Sequence, residues 1–396
     1  MNQQGSLSGK SVILGVTGSI AAVETVRLAH SLRRMGCDVI GVMSRAACGI
    51  IHPDALTYAT GNDAITTLTG RVEHVRYCGE EGLADLLLIA PCTANTLCKI
   101  AGGIDDTPVT TFATTALGRG MPVVIAPAMH DTMYNHPGVK ECLEKIRGWG
   151  VVIVPPRCEE GKAKMASADE ILLWCERELL GKPLAGKKVL VTSGPCQEPV
   201  DDVRVLTTRS TGRMGQEIAL QAFRLGADVT VVHASQLPLV TNVPARTAAD
   251  MAGAVHHVCR EESPDLYISA AAISDYAPDL YAGKMKSGAP RTLNLNPLPK
   301  LIDELLARYR IPIVAFKLGR DQDGAARDML DRGVAMVVVN GPEVMGSAAG
   351  RVVILGNDRE EVAEGSKREL AEKIWTAILS HPSGFSEPRS PPGDTT

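Results

Sequence analysis

Ser11–Val16 reads SVILGV and runs straight into Thr17-Gly18-Ser19. An unbroken apolar run of strand length, ending in a glycine-bearing turn, is the pattern of a strand buried on both faces. Behind the turn, Ala21, Leu28, Leu32 and Met35 recur at i, i+7, i+11 and i+14, the spacing of one helix face. Gly36 stops that helix, and Asp38–Met43 (DVIGVM) supplies a second apolar strand. This is one βαβ unit. Outward from it, Asp85–Ala90 (DLLLIA), Pro122–Ala126 (PVVIA) and Val151–Val154 (VVIV) read as further buried strands with helical stretches between them. The alternation predicts a mostly parallel sheet with helices on both faces.

The second half restarts the same way. Gly186–Thr192 (GKKVLVT) echoes Gly9–Leu14 (GKSVIL), and a helix near Arg213–Leu225, Gly226 and the strand Asp228–Val232 follow. Leu266–Ala270, Ile313–Phe316 and Ala335–Asn340 continue the strand series, with Arg351–Leu355 as an edge strand. The seam falls at Gly181–Gly186 (GKPLAG), where Gly and Pro interrupt both patterns. The expectation is an α/β protein of two Rossmann-like domains, 1–183 and 184–381. The Pro/Ser-rich stretch 382–396 reads as a disordered tail.

Composition narrows the function classes. With 41 Lys+Arg against 45 Asp+Glu, the net charge of −4 leaves no basic footprint for nucleic acid or an anionic membrane surface. No apolar run approaches the roughly 18 residues of a membrane span, and Met1–Lys10 is polar, unlike a signal peptide. Ten cysteines without a C-x-x-C pair read as reduced thiols of a cytoplasmic protein. Small-molecule chemistry is the expectation.

The Gly turns indicate which small molecule. Gly15-Val-Thr-Gly18 is not G-x-G-x-x-G, and the second strand ends in Ser44, where a dinucleotide site would carry an acid for the ribose. Thr17, Gly18, Ser19 and Ser44 suit a mononucleotide phosphate such as that of FMN; an ordinary tight turn has the same pattern. Thr93 and Asn95, in Ala90-Pro-Cys-Thr-Ala-Asn95, follow a strand and are placed to bind a ring or ribityl chain, or simply to form a turn. His130 follows another strand, and with His74 is a candidate acid, base or carboxylate ligand. Cys158, flanked by Arg157, Lys162 and Lys164, is a candidate proton donor or nucleophile, or an incidental thiol. No H-E-x-x-H occurs, so no zinc site is assigned.

Taken together, Gly15–Ala22 (GVTGSIAA), the P-C-T-A-N loop, the P-A-M-H-x-x-M-Y run and the Cys158 loop resemble the flavin-dependent cysteine decarboxylases. Ser193-Gly-Pro, EPVDDVR at 198–204, Ser210-Thr-Gly-Arg-Met-Gly215, AAAISDY at 270–276 and Lys284-Met-Lys286 extend the likeness. Up to about residue 380 the chain resembles the family joining phosphopantothenoylcysteine decarboxylase to phosphopantothenate–cysteine ligase in coenzyme A biosynthesis. The resemblance implies FMN at a trimer interface, where the flavin takes the substrate thiol to a thioaldehyde so that carboxylate loss leaves a carbanion delocalised onto sulfur. It makes His74 the active-site histidine and Cys158 the proton donor. His130 stands where many bacterial members carry Asn, and would hydrogen-bond the substrate carboxylate.

For the second half, the resemblance implies activation of 4′-phosphopantothenate by CTP as an acyl-cytidylate, from which the amine of L-cysteine displaces CMP. Lys284 matches the essential lysine, Asp275 the acid near the nucleotide, and Phe316 a residue packing on the base. Ser193, Gly194, Ser210, Gly212 and Arg213 would line the phosphate path. Bacterial members carry two lysines near Asp328 and Arg332, so only Arg332 keeps a cation for the triphosphate. Mg²⁺ would be held mainly by the CTP phosphates, with Asp275 a candidate ligand. The family also implies a homo-oligomer, with trimeric decarboxylase and dimeric ligase contacts. A flavin-binding regulatory protein would need neither His74 nor Cys158, and a flavin prenyltransferase-like enzyme would leave the second domain without a role. A dehydrogenase fits least, since the second strands end at Ser44 and His233 without a ribose-binding acid.

Overall fold

The computed structural model describes residues 5–159, 162–288, 290–319, 323–341, 347–356 and 359–381. The segment 382–396, expected to be a tail, lies outside the described residues. The chain divides into two compact units, Met1–Lys182 and Pro183–Thr396.

In the first unit, β1 (Ser11–Val16), β2 (Asp38–Met43), β3 (Leu86–Cys92), β4 (Val123–Pro127) and β5 (Val152–Ile153) form one parallel sheet in the order β2-β1-β3-β4-β5. Successive side chains of a strand face opposite sides. Thus Val12, Leu14, Leu86 and Leu88 pack with Leu28 and Leu32 of the helix Thr25–Arg34, while Ile13, Leu87 and Ile89 pack with Phe112 of the helix Pro108–Arg119. Both faces are covered, which is why the strands are apolar after their first residues, Ser11 and Asp38. Each fully buried Leu or Ile contributes about 1.5–3 kcal/mol. The helix after β1 differs from expectation. Ser19 caps a short 3₁₀ turn, Ile20–Glu24, and the α-helix starts only at Thr25, so Ala21 is half-buried while Leu28 and Leu32 are fully buried.

The second unit holds an eight-stranded sheet. Its strands are β6 (Lys188–Thr192), β7 (Asp228–His233), β8 (Thr241–Pro244), β9 (Leu266–Ser269), β10 (Ile313–Leu318), β11 (Met336–Asn340), β12 (Ala349–Leu355) and β13 (Glu360–Ser366). The order is β8-β7-β6-β9-β10-β11-β12-β13, with all pairs parallel up to β11 and antiparallel beyond it. The strand at Arg351–Leu355 is therefore not the edge. Glu360–Ser366 lies outside it, a polar strand (EEVAEGS) whose glutamates suit a solvated rim and leave no apolar run to read.

Each sheet reverses its winding once. From β1 the chain goes to β2 on one side and then to β3 on the other, and β6 stands in the same relation to β7 and β9. Ligands of open α/β sheets bind beyond the carboxyl ends of the strands at such switch points.

Candidate functional site

In the first unit, the turn after β1 is tied to the loop after β3 across the switch point. Thr17 is buried; its N–H and its hydroxyl both donate to the Pro91 carbonyl, at 3.3 and 2.8 Å, and Oγ1 accepts the Thr93 N–H at 3.0 Å. Gly18 abuts the short helix Arg45–Cys48 that follows β2: a Cβ there would lie 2.5 Å from the Ala46 Cβ. Ser19, Ser44 and Thr93 are each helix N-caps, accepting from the N–H of Ala21 (3.4 Å), Ala47 (3.3 Å) and Thr96 (3.3 Å). Asn95 is exposed in the first turn that Thr93 caps. A hydroxyl that accepts from the backbone keeps its own O–H for a ligand anion. The residues expected to hold a flavin share one sheet edge: Thr17 ties the loops, Thr93 Oγ1 donates to Thr96 Oγ1 at 3.2 Å, and the Ser19 and Ser44 hydroxyls are the capping groups that can donate to an anion. This edge fits a phosphate-bearing flavin.

A small three-stranded sheet stands beside it. Met129–His130 pairs with Lys162–Lys164, which pairs in turn with Arg157–Glu159. Met129 and Cys158 lie opposite the same residue, Ala163, from its two sides. Two strand spacings, about 9–10 Å, separate Met129 from Cys158 across the sheet, and His130 stands one residue further along, opposite Lys162. The exposed His130 holds Thr132 Oγ1 with Nδ1 at 3.1 Å, and the Cys158 side chain lies outside the described part. His74 sits on a separate helix, Glu73–Cys78, which packs on Pro108–Arg119. Its Nδ1 is buried with no hydrogen-bond partner among the described residues.

In the second unit, a pocket opens at the carboxyl edge over β9, β10 and β11. Ser210–Gly215, Ala270–Ala272, Phe316, Leu318, Asn340 and Lys367 line it. Ser193 and Gly194 stand behind the wall. Ser193 Oγ donates to the Gly212 carbonyl at 3.0 Å, and Ala272 N–H donates to Gly194. Gly212 has φ +75°, and a Cβ on Gly215 would meet Ser193 Oγ at 2.6 Å, so this crossing of loops requires glycine.

Ser210, Gly212, Arg213 and Phe316 are thus brought together, whereas Asp275, Lys284 and Arg332 are not among the lining residues. Asp275 is ion-paired with Lys300, and Arg332 with Asp303 on the helix Leu301–Arg308. Lys284 is exposed on a loop tethered to residues 200–204. The reading of the residues missed Asn340 and Lys367. Asn340 carries the signal that singled out Ser44, a polar residue ending an apolar strand, but Lys367 has none. Among the described residues no three His, Cys, Asp or Glu side chains converge as a metal-ligand set.

Residues 1–179 match the family model Flavoprotein, and residues 184–381 match the model of the DNA/pantothenate metabolism flavoprotein C-terminal domain. The coenzyme A biosynthesis bifunctional protein CoaBC of Thermococcus kodakarensis is 44% identical over 385 residues, covering 94% of this chain and 95% of that protein. The chain belongs to the CoaBC family. Its likeness to CoaBC of Methanocaldococcus jannaschii is 32% identity over 383 residues, 93% of each chain. For CoaBC of Bacillus subtilis it is 31% over 391 residues, 92% of this chain and 93% of the relative. CoaBC membership makes the chain a bifunctional enzyme of coenzyme A biosynthesis, with a flavoprotein decarboxylase half and a ligase half. Among the described residues no helix is long and apolar enough to cross a membrane.

Proposed function

We propose that this chain makes 4′-phosphopantetheine in two steps: residues 184–381 join L-cysteine to 4′-phosphopantothenate with CTP, and residues 1–183 decarboxylate the product with FMN. The observation that carries the reading is that each sheet gathers expected site residues at its carboxyl edge, Thr17, Ser44 and Thr93 in one and Ser210, Gly212, Arg213 and Phe316 in the other.

For ligation, Phe316 offers a face to a base, while Arg213 and the Ser210–Gly212 loop offer a cation and donors to phosphate. Mg²⁺ then rests mainly on the CTP phosphates, since the Asp275 carboxylate is engaged by Lys300. Lys284 acts from its tethered loop on charge developing at the phosphorus. For decarboxylation, FMN supplies the two-electron oxidation that makes the carboxylate a leaving group, and the return of those electrons. His130 holds the substrate carboxylate, His74 orients the substrate, and Cys158 delivers the proton. A homo-oligomer suits the exposed Ile20, Val23, Val72 and Val75 and the His74 Nδ1, unpartnered among the described residues. The nine cysteines described with their side chains are all free thiols, which suits a reducing cytoplasm.

The test is an anaerobic assay of the purified yellow protein with 4′-phosphopantothenate, CTP, Mg²⁺ and cysteine. CO₂ and CMP are expected in equal amounts. Neither product from protein with its flavin intact overturns the proposal.

A further inference from the structure

Two cysteines of the first unit stand together, and the reactions above give them no role. Cys98 lies on the helix Ala94–Gly102, one turn from the buried Ala94 and one from the buried Ala101. Cys142 lies on the helix Pro137–Gly148, one turn from the buried Val139 and one from the buried Ile146. Each cysteine therefore flanks the apolar stripe of its helix. The two helices pack against each other, and both side chains border the core that holds Phe112 and Ile125. The two thiols are joined by a hydrogen bond.

Both thiols are free and only partly buried. Cys37, Cys78, Cys92, Cys175, Cys196 and Cys259 are buried, which closes them to soluble reagents. Cys98 and Cys142 instead combine a neighbouring sulfur with an opening to solvent, the two conditions for thiol–disulfide exchange. Burial, followed by the bond to Cys142, pushes the Cys98 thiol up to about 11. At neutral pH it is held as a thiol, so exchange is slow, on the order of minutes to hours. The helix of Cys98 leaves the flavin edge at its cap, Thr93, and the helix of Cys142 follows the His130 segment. A bond between the sulfurs ties those two segments together.

We propose that Cys98 and Cys142 are a site of reversible disulfide formation, oxidised by low-molecular-weight disulfides of the class of L-cystine. One protein thiolate attacks a sulfur of cystine, which forms a mixed disulfide and releases one cysteine. The neighbouring thiolate attacks the protein sulfur of that mixed disulfide, which forms the Cys98–Cys142 bond and releases the second cysteine. The two protein thiols give up two electrons and two protons, and cystine takes them as two cysteines. The choice of cystine rests on the proposed function, in which L-cysteine is a substrate; the pairing of the two sulfurs does not.

The test equilibrates the full-length wild type with L-cystine and L-cysteine at set ratios, anaerobically and for several hours. The protein is then quenched in acid, alkylated without reduction, digested and read by mass spectrometry. A peptide pair linked through Cys98 and Cys142 is expected, with loss of alkylation at both. The pair should grow with the cystine ratio and vanish on addition of dithiothreitol. In Cys98→Ser and in Cys142→Ser the remaining cysteine should stop at the mixed disulfide, carrying one cysteine by mass. Full alkylation of both residues in the wild type at every ratio overturns the proposal, as does a link from either one to a third cysteine. The readout needs neither CO₂ nor CMP, so a chain that releases neither overturns the functional reading and leaves the thiol pair standing.

Discussion

The carboxylate of Asp201 receives the backbone N–H of Met285 at 3.0 Å and so holds the Lys284-Met285-Lys286 loop from below. Asp201 is buried, and it also takes the N–H groups of Val203 (2.8 Å) and Arg204 (2.7 Å) and the Arg204 guanidinium. The Met285 N–H, followed by these partners, holds its carboxyl well below the usual carboxylate range. A carboxyl with a depressed folded pKa stabilises the fold above its unfolded value of about 3.9, and that contribution is lost only as pH falls through the lower folded value. The tether is therefore complete at neutral pH. Asp201→Ala is expected to cut ligation on the order of 10²-fold by freeing Lys284. The loss should be equal across the neutral range; one confined to low pH would contradict the tether.

Thr17→Val removes a buried hydroxyl that bridges Pro91 and Thr93. Urea unfolding is expected to show a loss of about 1–3 kcal/mol, because the Thr93 N–H is left without its acceptor. The same variant should retain less flavin after gel filtration, read from the ratio of flavin to protein absorbance. Full retention would show that the tie between the two loops does not shape the flavin edge.

Cys158→Ser should stop 4′-phosphopantetheine formation by 10²-fold or more while CMP release continues. Mass spectrometry of the quenched mixture is expected to show an oxidised or enethiol intermediate. Decarboxylation at the wild-type rate would remove Cys158 from its role. His130→Asn, which keeps a hydrogen-bonding side chain in the strand opposite Lys162, should raise KM more than it lowers kcat.

Gly215→Ala places a Cβ against Ser193 Oγ and Cβ, at 2.6 and 2.7 Å. Overpacking at this crossing should cost about 1–3 kcal/mol in the urea midpoint and lower ligation, with decarboxylation of supplied phosphopantothenoylcysteine unaffected. Parallel loss of both activities would mean that the strain spreads beyond the ligase unit.

Removing divalent metal with EDTA should abolish CMP release and spare decarboxylation, since charge neutralisation on the triphosphate belongs to ligation alone. Restoration by Mg²⁺ checks the assignment, and ligation that persists in EDTA contradicts it.

The central strands were legible because burial on both faces demands an unbroken apolar run. Ser11–Val16 and Asp38–Met43 were read to the residue for that reason. In the two large sheets the strands that escaped, Thr241–Pro244 and Glu360–Ser366, are edges, where one side meets solvent and no unbroken apolar run is required. In the sites, residues that directly follow a strand were readable, because chain direction alone puts them at the carboxyl edge: Thr17, Ser44 and Thr93, with His130 three residues beyond Pro127. What local sequence determined, then, was the parallel core of the two sheets and the edge on which chemistry gathers.

Only the tertiary structure decided which distant segments meet there. Ala163 stands between Met129 and Cys158 because three short strands pair, and none is long enough to show a period. Asp201 anchors the Lys284 loop, and Lys367 joins Arg213 because two helices pack side by side. Such contacts rest on backbone hydrogen bonds and on packing between remote segments, and neither leaves a periodic trace in the chain.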